Sequence, residues 1–301
     1  MKGYAITLKG FGYSAEIRTF GSKLAKLAYQ GRHLIETFNE ADFRNLFVGD
    51  ILAPWPNRLA EGKYSVHGTN YFVPVNEVFR NNALHGLIYG REWECIRETD
   101  TSCTLKYLLH ESQAYGFTIE FNSIFQIDEF GLTWKISAKN LSIQSALYGI
   151  SIHPYLVADD NTPVDVWELQ LPARQYLEVD NLRLLPKGIY ECSYRDFDFM
   201  RPKIIGDLQI DHAFLIDKDF EEQSVKLIAP SGKGVRMTFG SEAKWIQIHT
   251  ADREGALDAR RSLAVEPMTC PPDAFNHKQD LIWLSNGESH EATWNFQAIV
   301  G

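Results

Sequence analysis

Apolar and polar residues alternate with a period of two along much of this chain, and that pattern restricts its fold more than any other property. It is read at residues 5–8, 104–109, 117–122, 132–138, 224–228 and 245–249, and it runs cleanly from 291 to 300. A strand turns successive side chains to opposite faces, so each segment predicts a strand with one face buried. Turn signals such as Asp128-Glu129-Phe130-Gly131 and Pro230-Ser231-Gly232-Lys233-Gly234 separate the segments at strand-like intervals. No sustained helical period and no short internal repeat stands out. The chain is expected to be all-β, with antiparallel meanders and long loops. A twisted sandwich of two large sheets accommodates so many strands better than a closed barrel.

With 301 residues, 45% of them apolar and 23% charged, there is ample material for a core, and large all-β domains reach this size as one unit. No composition shift marks a boundary, and residues 159–163 are read as a loop, so one domain spanning 1–301 is expected. A net charge of −9 and the lack of any Lys/Arg run argue against a nucleic-acid partner. The N-terminus lacks the apolar stretch of a signal peptide, and no segment approaches the ~18 apolar residues of a membrane span. Cys95, Cys103, Cys192 and Cys270 have neither metal-type spacing nor a pairing logic, which predicts reduced thiols in a cytoplasmic protein.

One segment departs from the alternation. Residues 263–276 deliver the carboxylate of Glu266 into a stretch containing Pro267, Pro271 and Pro272. Proline fixes its own φ, removes a donor and restricts its predecessor, so Glu266 is expected on a rigid, non-repeating turn at a strand end. Such a mounting suits a general base; it equally suits a solvated turn carboxylate.

Four further segments accompany it: Ala53-Pro54-Trp55-Pro56-Asn57-Arg58, Asn81-Asn82-Ala83-Leu84-His85-Gly86, His153-Pro154-Tyr155-Leu156 and Asp211-His212-Ala213-Phe214. Together these five resemble the motif set of the aldose 1-epimerase (mutarotase) family. The match is to a bacterial branch carrying Pro-Trp-x-x-Arg, Leu-His-Gly, His-Pro-Tyr-Phe and Asp-His-Ala-Phe signatures, in the family's order. The resemblance implies a large antiparallel β-supersandwich with its sugar site on one sheet. It also implies a cofactor-independent isomerase, without metal, acting on a small-molecule sugar as a monomer or homodimer.

Interconverting the anomers of a free sugar means opening its hemiacetal ring. A base takes the proton of the C1 hydroxyl while an acid protonates the ring oxygen; the aldehyde then rotates and the ring closes on its other face. One carboxylate and one imidazole on opposite sides of the C1–O5 unit suffice, and such pairs typically contribute about 10²–10⁴-fold. The resemblance places the base at Glu266, ionised at neutral pH, and the acid at His153, a residue type that titrates near physiological pH. It assigns a second histidine, His85, to assist at the ring oxygen, and Arg58 and Asp211 to the sugar hydroxyls. From the residues themselves, Asn82 is a further hydroxyl partner or a turn residue. Trp55, Trp245 and Tyr155 are candidate platforms for a sugar's C–H face. For Arg58, an ion pair with Glu61 or Asp50 remains open.

Two positions depart from the family pattern. Leu87 stands where galactose-type members usually carry a second glycine, and Leu156 replaces an aromatic that is expected to shape the sugar pocket. The preferred sugar is therefore left open. A 6-phosphorylated or sulfonated hexose would need convergent basic groups, for which Arg32, Arg44, Arg58, Arg80 and Arg91 are available. A non-catalytic sugar-binding protein and a glycoside hydrolase using Asp211 with Glu266 are the other readings.

Overall fold

The computed structural model describes residues 3–37, 47–252 and 259–301. Strands dominate them, and every adjacent strand pair in the three larger sheets is antiparallel. A nine-stranded sheet runs Glu94–Glu98, Ser102–Leu109, Ile119–Asp128, Gly131–Asn140, Ser289–Ile299, Gly234–Phe239, Ser224–Ile228, Glu168–Gln170 and Lys203–Ile204. A six-stranded sheet runs Tyr155–Leu156, Leu263–Met268, Trp245–His249, Asp211–Ile216, Ala173–Val179 and Pro186–Glu191. The N-terminus forms a four-stranded sheet of Ala5–Gly10, Tyr13–Arg18, Lys23–Tyr29 and Arg32–His33. The one α-helix among the described residues, Ala274–His277, is a single turn. The expected all-β supersandwich is what the chain adopts.

Alternation decides the layering. In the hairpin Ile119–Asp128/Gly131–Asn140, Ile119, Phe121, Phe125, Trp134, Ile136 and Ala138 all turn inward and are buried. Ile246, Ile248, Phe214, Leu263 and Val265 of the six-stranded sheet belong to the same core. Trp294, on the central strand of the larger sheet, donates its indole N–H to the carbonyl of Pro267 at 3.3 Å, tying the sheets together. Burying a large side chain of this kind contributes about 1.5–3 kcal/mol, so the core holds the rear of the six-stranded sheet rigid while its other face is left for chemistry.

The strand Leu263–Met268 corrects one expectation. Glu266 does not sit on a turn at a strand end but inside this strand, opposite Gln247, and Pro267 continues it opposite Ile246. Val265 N–H reaches the carbonyl of Pro154 and Thr269 N–H that of Ile150, whereas the neighbouring strand Tyr155–Leu156 pairs only with Leu263 and Ala264. Position 267 falls between those two bonds, on the side where the ladder asks for no donor, so proline is accommodated.

Candidate active site

The strand register puts the site on the outward face of the six-stranded sheet. Tyr155 lies opposite Ala264, His249 opposite Ala264 and Asp211, and Gln247 opposite Glu266 and Ala213. Because side chains alternate, Asp211, Gln247, His249 and Glu266 share one face while Val265, Ile246 and Ile248 fill the core behind them. The small residues Ala213 and Ala264 separate the polar groups.

Glu266 is 2% exposed and His153 6% exposed. His153 lies between the short strands Ser151–Ile152 and Tyr155–Leu156, where Pro154 interrupts the ladder, and its Nε2 is 3.3 Å from Glu266 Oε1. The Tyr155 ring stacks on the imidazole at 5.1 Å and 28°. The two groups are thus in direct contact, rather than on opposite flanks of a substrate-sized space.

His85 joins them, its ring edge-on to that of His153 at 5.3 Å. It is held by reciprocal bonds with Asn57: His85 N–H donates to the Asn57 carbonyl, and Asn57 N–H donates to His85 Nδ1 at 3.2 Å. A neutral imidazole accepting at Nδ1 carries its proton on Nε2, so His85 presents a donor. The backbone at His85 and Gly86 is left-handed, with φ of 63° and 77°. A Cβ on Gly86 would overlap the carbonyl oxygen of Ala53, which explains the glycine beside the histidine.

Arg58 faces neither Glu61 nor Asp50. Its Nε and one terminal nitrogen donate to the two carboxylate oxygens of Glu77, each at 3.0 Å, and that terminal nitrogen is 3.8 Å from Asp211 Oδ2. Asn82 donates to Glu77 at 2.9 Å and to the Arg183 carbonyl at 2.9 Å, and accepts from the Arg183 guanidinium at 3.2 Å. Gln247 donates to Asp211 at 2.6 Å.

Burial governs the charges. It raises the Glu266 carboxyl well above its ordinary range, reinforced by Asp211 and opposed by Arg58. It lowers His153 to about 3, with His249 adding to the effect and Asp211 opposing it. Burial likewise drives His85 well below its ordinary value. Glu266 therefore does not behave as an ordinary ionised carboxylate, nor His153 as an imidazole titrating near neutrality. Asp211 is held below the usual carboxylate range: burial pushes it up, but His249, Arg58 and the Gln247 amide outweigh that.

Some expected residues lie elsewhere. Trp55 is buried in the main core, 5.3 Å from the Phe275 ring, so it offers no free face to a sugar. Trp245 is on the outward side of the sheet but packed with Leu177, Ala213 and Met268, its indole N–H bonded to Asp280. Leu156 belongs to the main core, so the aromatic missing there does not reshape this face. Arg44 lies outside the described residues. Among the described residues no group of three or more His, Cys, Asp or Glu side chains is arranged to hold a metal ion, and no helix is long and apolar enough to cross a membrane.

The sequence profile of the aldose 1-epimerase family matches residues 4–297. The chain belongs to the aldose 1-epimerase family. It is 34% identical over 294 residues to the uncharacterized protein YihR of Escherichia coli K12, covering 97% of this chain and 92% of that protein. To the aldose 1-epimerase of the same organism it is 22% identical over 286 residues, 84% of this chain and 80% of the other. The fold is similar to that of a GalM/aldose epimerase homologue from C. elegans, with TM-score 0.85, 21% identity and coverage of 99% and 100%. Galactose 1-epimerase from Lactobacillus acidophilus is similar at TM-score 0.81, 19% identity and coverage of 98% and 94%.

Three residues of this family member's site went unnoticed in the sequence. Glu77 clamps Arg58, Gln247 orients Asp211, and Phe47 lays its ring against His85 at 4.6 Å and His153 at 6.5 Å. Gln247 had a signal, since it occupies a polar position of the Trp245–His249 alternation. Glu77 and Phe47 lie in irregular segments that carry no periodicity.

Proposed function

We propose that this chain is an aldose 1-epimerase that interconverts the α and β anomers of a free hexose, with Glu266 as base and His153 as acid. The observation carrying this reading is a set of buried polar atoms around the Glu266–His153 contact. Glu266 Oε2, His153 Nδ1, Gln247 Oε1 and His249 Nδ1 find no hydrogen-bond partner within the protein. Orphaned buried groups are rare in folded proteins, and mainly acceptors on one sheet face suit a ligand rich in hydroxyl donors.

The proton inventory fits ring opening. With the carboxyl raised and the imidazole lowered, the pair holds one proton, resting on Glu266. Moving it to His153 Nε2 across the 3.3 Å contact yields a carboxylate and an imidazolium. Arg58 favours that carboxylate and Asp211 that imidazolium. The carboxylate then takes the proton from the C1 hydroxyl, the C1–O5 bond breaks as C1=O1 forms, and His153 protonates O5. Both groups return to their resting state while the aldehyde is open. Rotation about C1–C2 and the reverse transfers close the ring on the other face. His85, donating from Nε2, assists at the ring oxygen, and Arg58 and Asp211 bind hydroxyls. A cytoplasmic location suits the free thiols of Cys95, Cys103, Cys192 and Cys270.

Polarimetry on freshly dissolved α-D-glucose and α-D-galactose tests the proposal. Faster approach to anomeric equilibrium is expected for at least one of them. Acceleration of a 6-phosphorylated or sulfonated hexose alone, followed by exchange NMR, would replace the neutral substrate with an anionic one. No acceleration of any sugar would overturn the enzymatic reading.

A further inference from the structure

The backbone of His153 is held at both ends by a neighbouring loop, residues 47–50. Gly49 N–H donates to the His153 carbonyl at 2.8 Å, and His153 N–H donates to the Asp50 carbonyl at 3.0 Å. Phe47 of the same strap packs on both histidines, and Val48 is buried with Tyr155 and Ala264. What anchors the strap is the N-terminal sheet. Leu24 N–H bonds to the Gly49 carbonyl at 3.1 Å, and Lys23 Nζ meets Asp50 Oδ2 at 2.9 Å with the two side chains 8% and 3% exposed. Among the described residues only the Glu266–His153 contact is as deeply buried.

Phe47 packs on Tyr89 at 5.0 Å and Val48 is buried, but the Asp50 end of the strap borders open space. A cavity of ≈ 770 Å³ lies there, lined by Lys23, Asp50, Gly86, Leu87, Tyr89 and Tyr107 among others. A strap end that borders open space needs a directional tie. We propose that the buried Lys23–Asp50 pair is that tie, a positioning device that sets His153 against Glu266 without touching the sugar. This rests on the reading of His153 as the acid. A buried ion pair is a poor way to gain stability, since an apolar pair of similar volume often serves as well or better. Burial pushes the Asp50 carboxyl up to about 6 even with Lys23 beside it, so the pair persists against its own desolvation. A fixed geometry for the strap accounts for that.

Asp50→Asn is expected to lower kcat by about 10–100-fold, the loss that misplacing a reacting group by around an ångström brings. KM should change less than about twofold, because Arg58 and Asp211 hold the hydroxyls. That variant leaves Lys23 in a buried site without its carboxylate and so can fail to fold. The double variant Lys23→Met/Asp50→Leu removes both charges. It is expected to melt at or above the wild-type temperature, yet to keep the kcat loss and to show shifted His153 imidazole signals in ¹H–¹⁵N NMR. A folded double variant with wild-type kcat and unmoved His153 signals would overturn the proposal. The NMR readout holds even if the wild type proves inactive on every sugar, so failure of the positioning role is distinguishable from failure of the enzymatic reading.

Discussion

Glu266 and His153 meet in a site whose burial disfavours charge on either group, and three predictions belong to the scale of the residue. Glu266→Gln keeps the shape of the side chain and removes its basicity, so turnover should be nearly abolished with circular dichroism unchanged. Because the folded carboxyl is raised, the native state holds its proton more tightly than the unfolded chain does. Its contribution to stability is complete below the ordinary value of 4.5 and is lost as pH rises through the raised one. Relative to the wild type, Glu266→Gln should therefore gain melting temperature by calorimetry as pH rises above 4.5. His153 carries the opposite sign. Lowered from 6.5 to about 3, it stays neutral in the fold while the unfolded chain takes a proton, so stability falls as pH drops from 6.5 toward 3. The slope is about 1.4 kcal/mol per pH unit where the two states differ by one proton. Between pH 7 and pH 5 the two slopes oppose each other, so in His153→Asn, which keeps only the Glu266 slope, the urea midpoint should rise more on acidification than in the wild type. The identities of these residues were legible in the sequence through their motifs. Their ionisation was not, because burial and the charges of Asp211, Arg58 and His249 come from distant parts of the chain.

Strands and loops divide the work of presenting these groups. Seven strands could be read from alternation alone: Ser224–Ile228 and Trp245–His249 lie where the period places them, Ala5–Gly10, Ser102–Leu109 and Gly131–Asn140 run longer, Ile119–Asp128 starts later and runs on, and Ser289–Ile299 starts and ends earlier. The strand carrying Glu266 was misread as ending there, because proline is disfavoured in strands only where its missing donor is needed, and pairing partners decide that. A short strand pair, Arg58–Ala60 with Asn82–Leu84, holds Arg58, and His85 follows directly after its second strand. Glu77→Ala removes the bidentate partner of Arg58 and one partner of Asn82, and charge-assisted bonds of this kind are worth about 1.5–3 kcal/mol. KM for the sugar should rise by about tenfold or more in steady-state assays, with a smaller change in kcat. Gly86→Ala places a side chain against the Ala53 carbonyl in a left-handed backbone, a strain of about 1–3 kcal/mol before the clash is counted. Melting temperature and turnover should fall together; unchanged values of both would show that the His85 loop has room to spare.

The whole molecule closes late in the chain. Ser289–Ile299 lies between Gly131–Asn140 and Gly234–Phe239 at the centre of the nine-stranded sheet, and Trp294 reaches across to the Glu266 strand. Deleting residues 289–301 would split that sheet into two parts with bare edges. The expected result is loss of native circular dichroism and rapid proteolysis; a folded, protease-resistant product would contradict this topology. The sequence by itself determined that the chain is an antiparallel β-protein and singled out Glu266, His153 and His85 as candidates for its chemistry, because periodicity and motifs are local properties. Only the tertiary structure decided that Glu266 and His153 touch, that Arg58 is clamped by Glu77, that Trp55 and Leu156 belong to the core, and that Lys23 and Asp50 brace the strap behind His153. Each of those depends on strand register and on burial, and both are set by contacts between residues far apart in the chain.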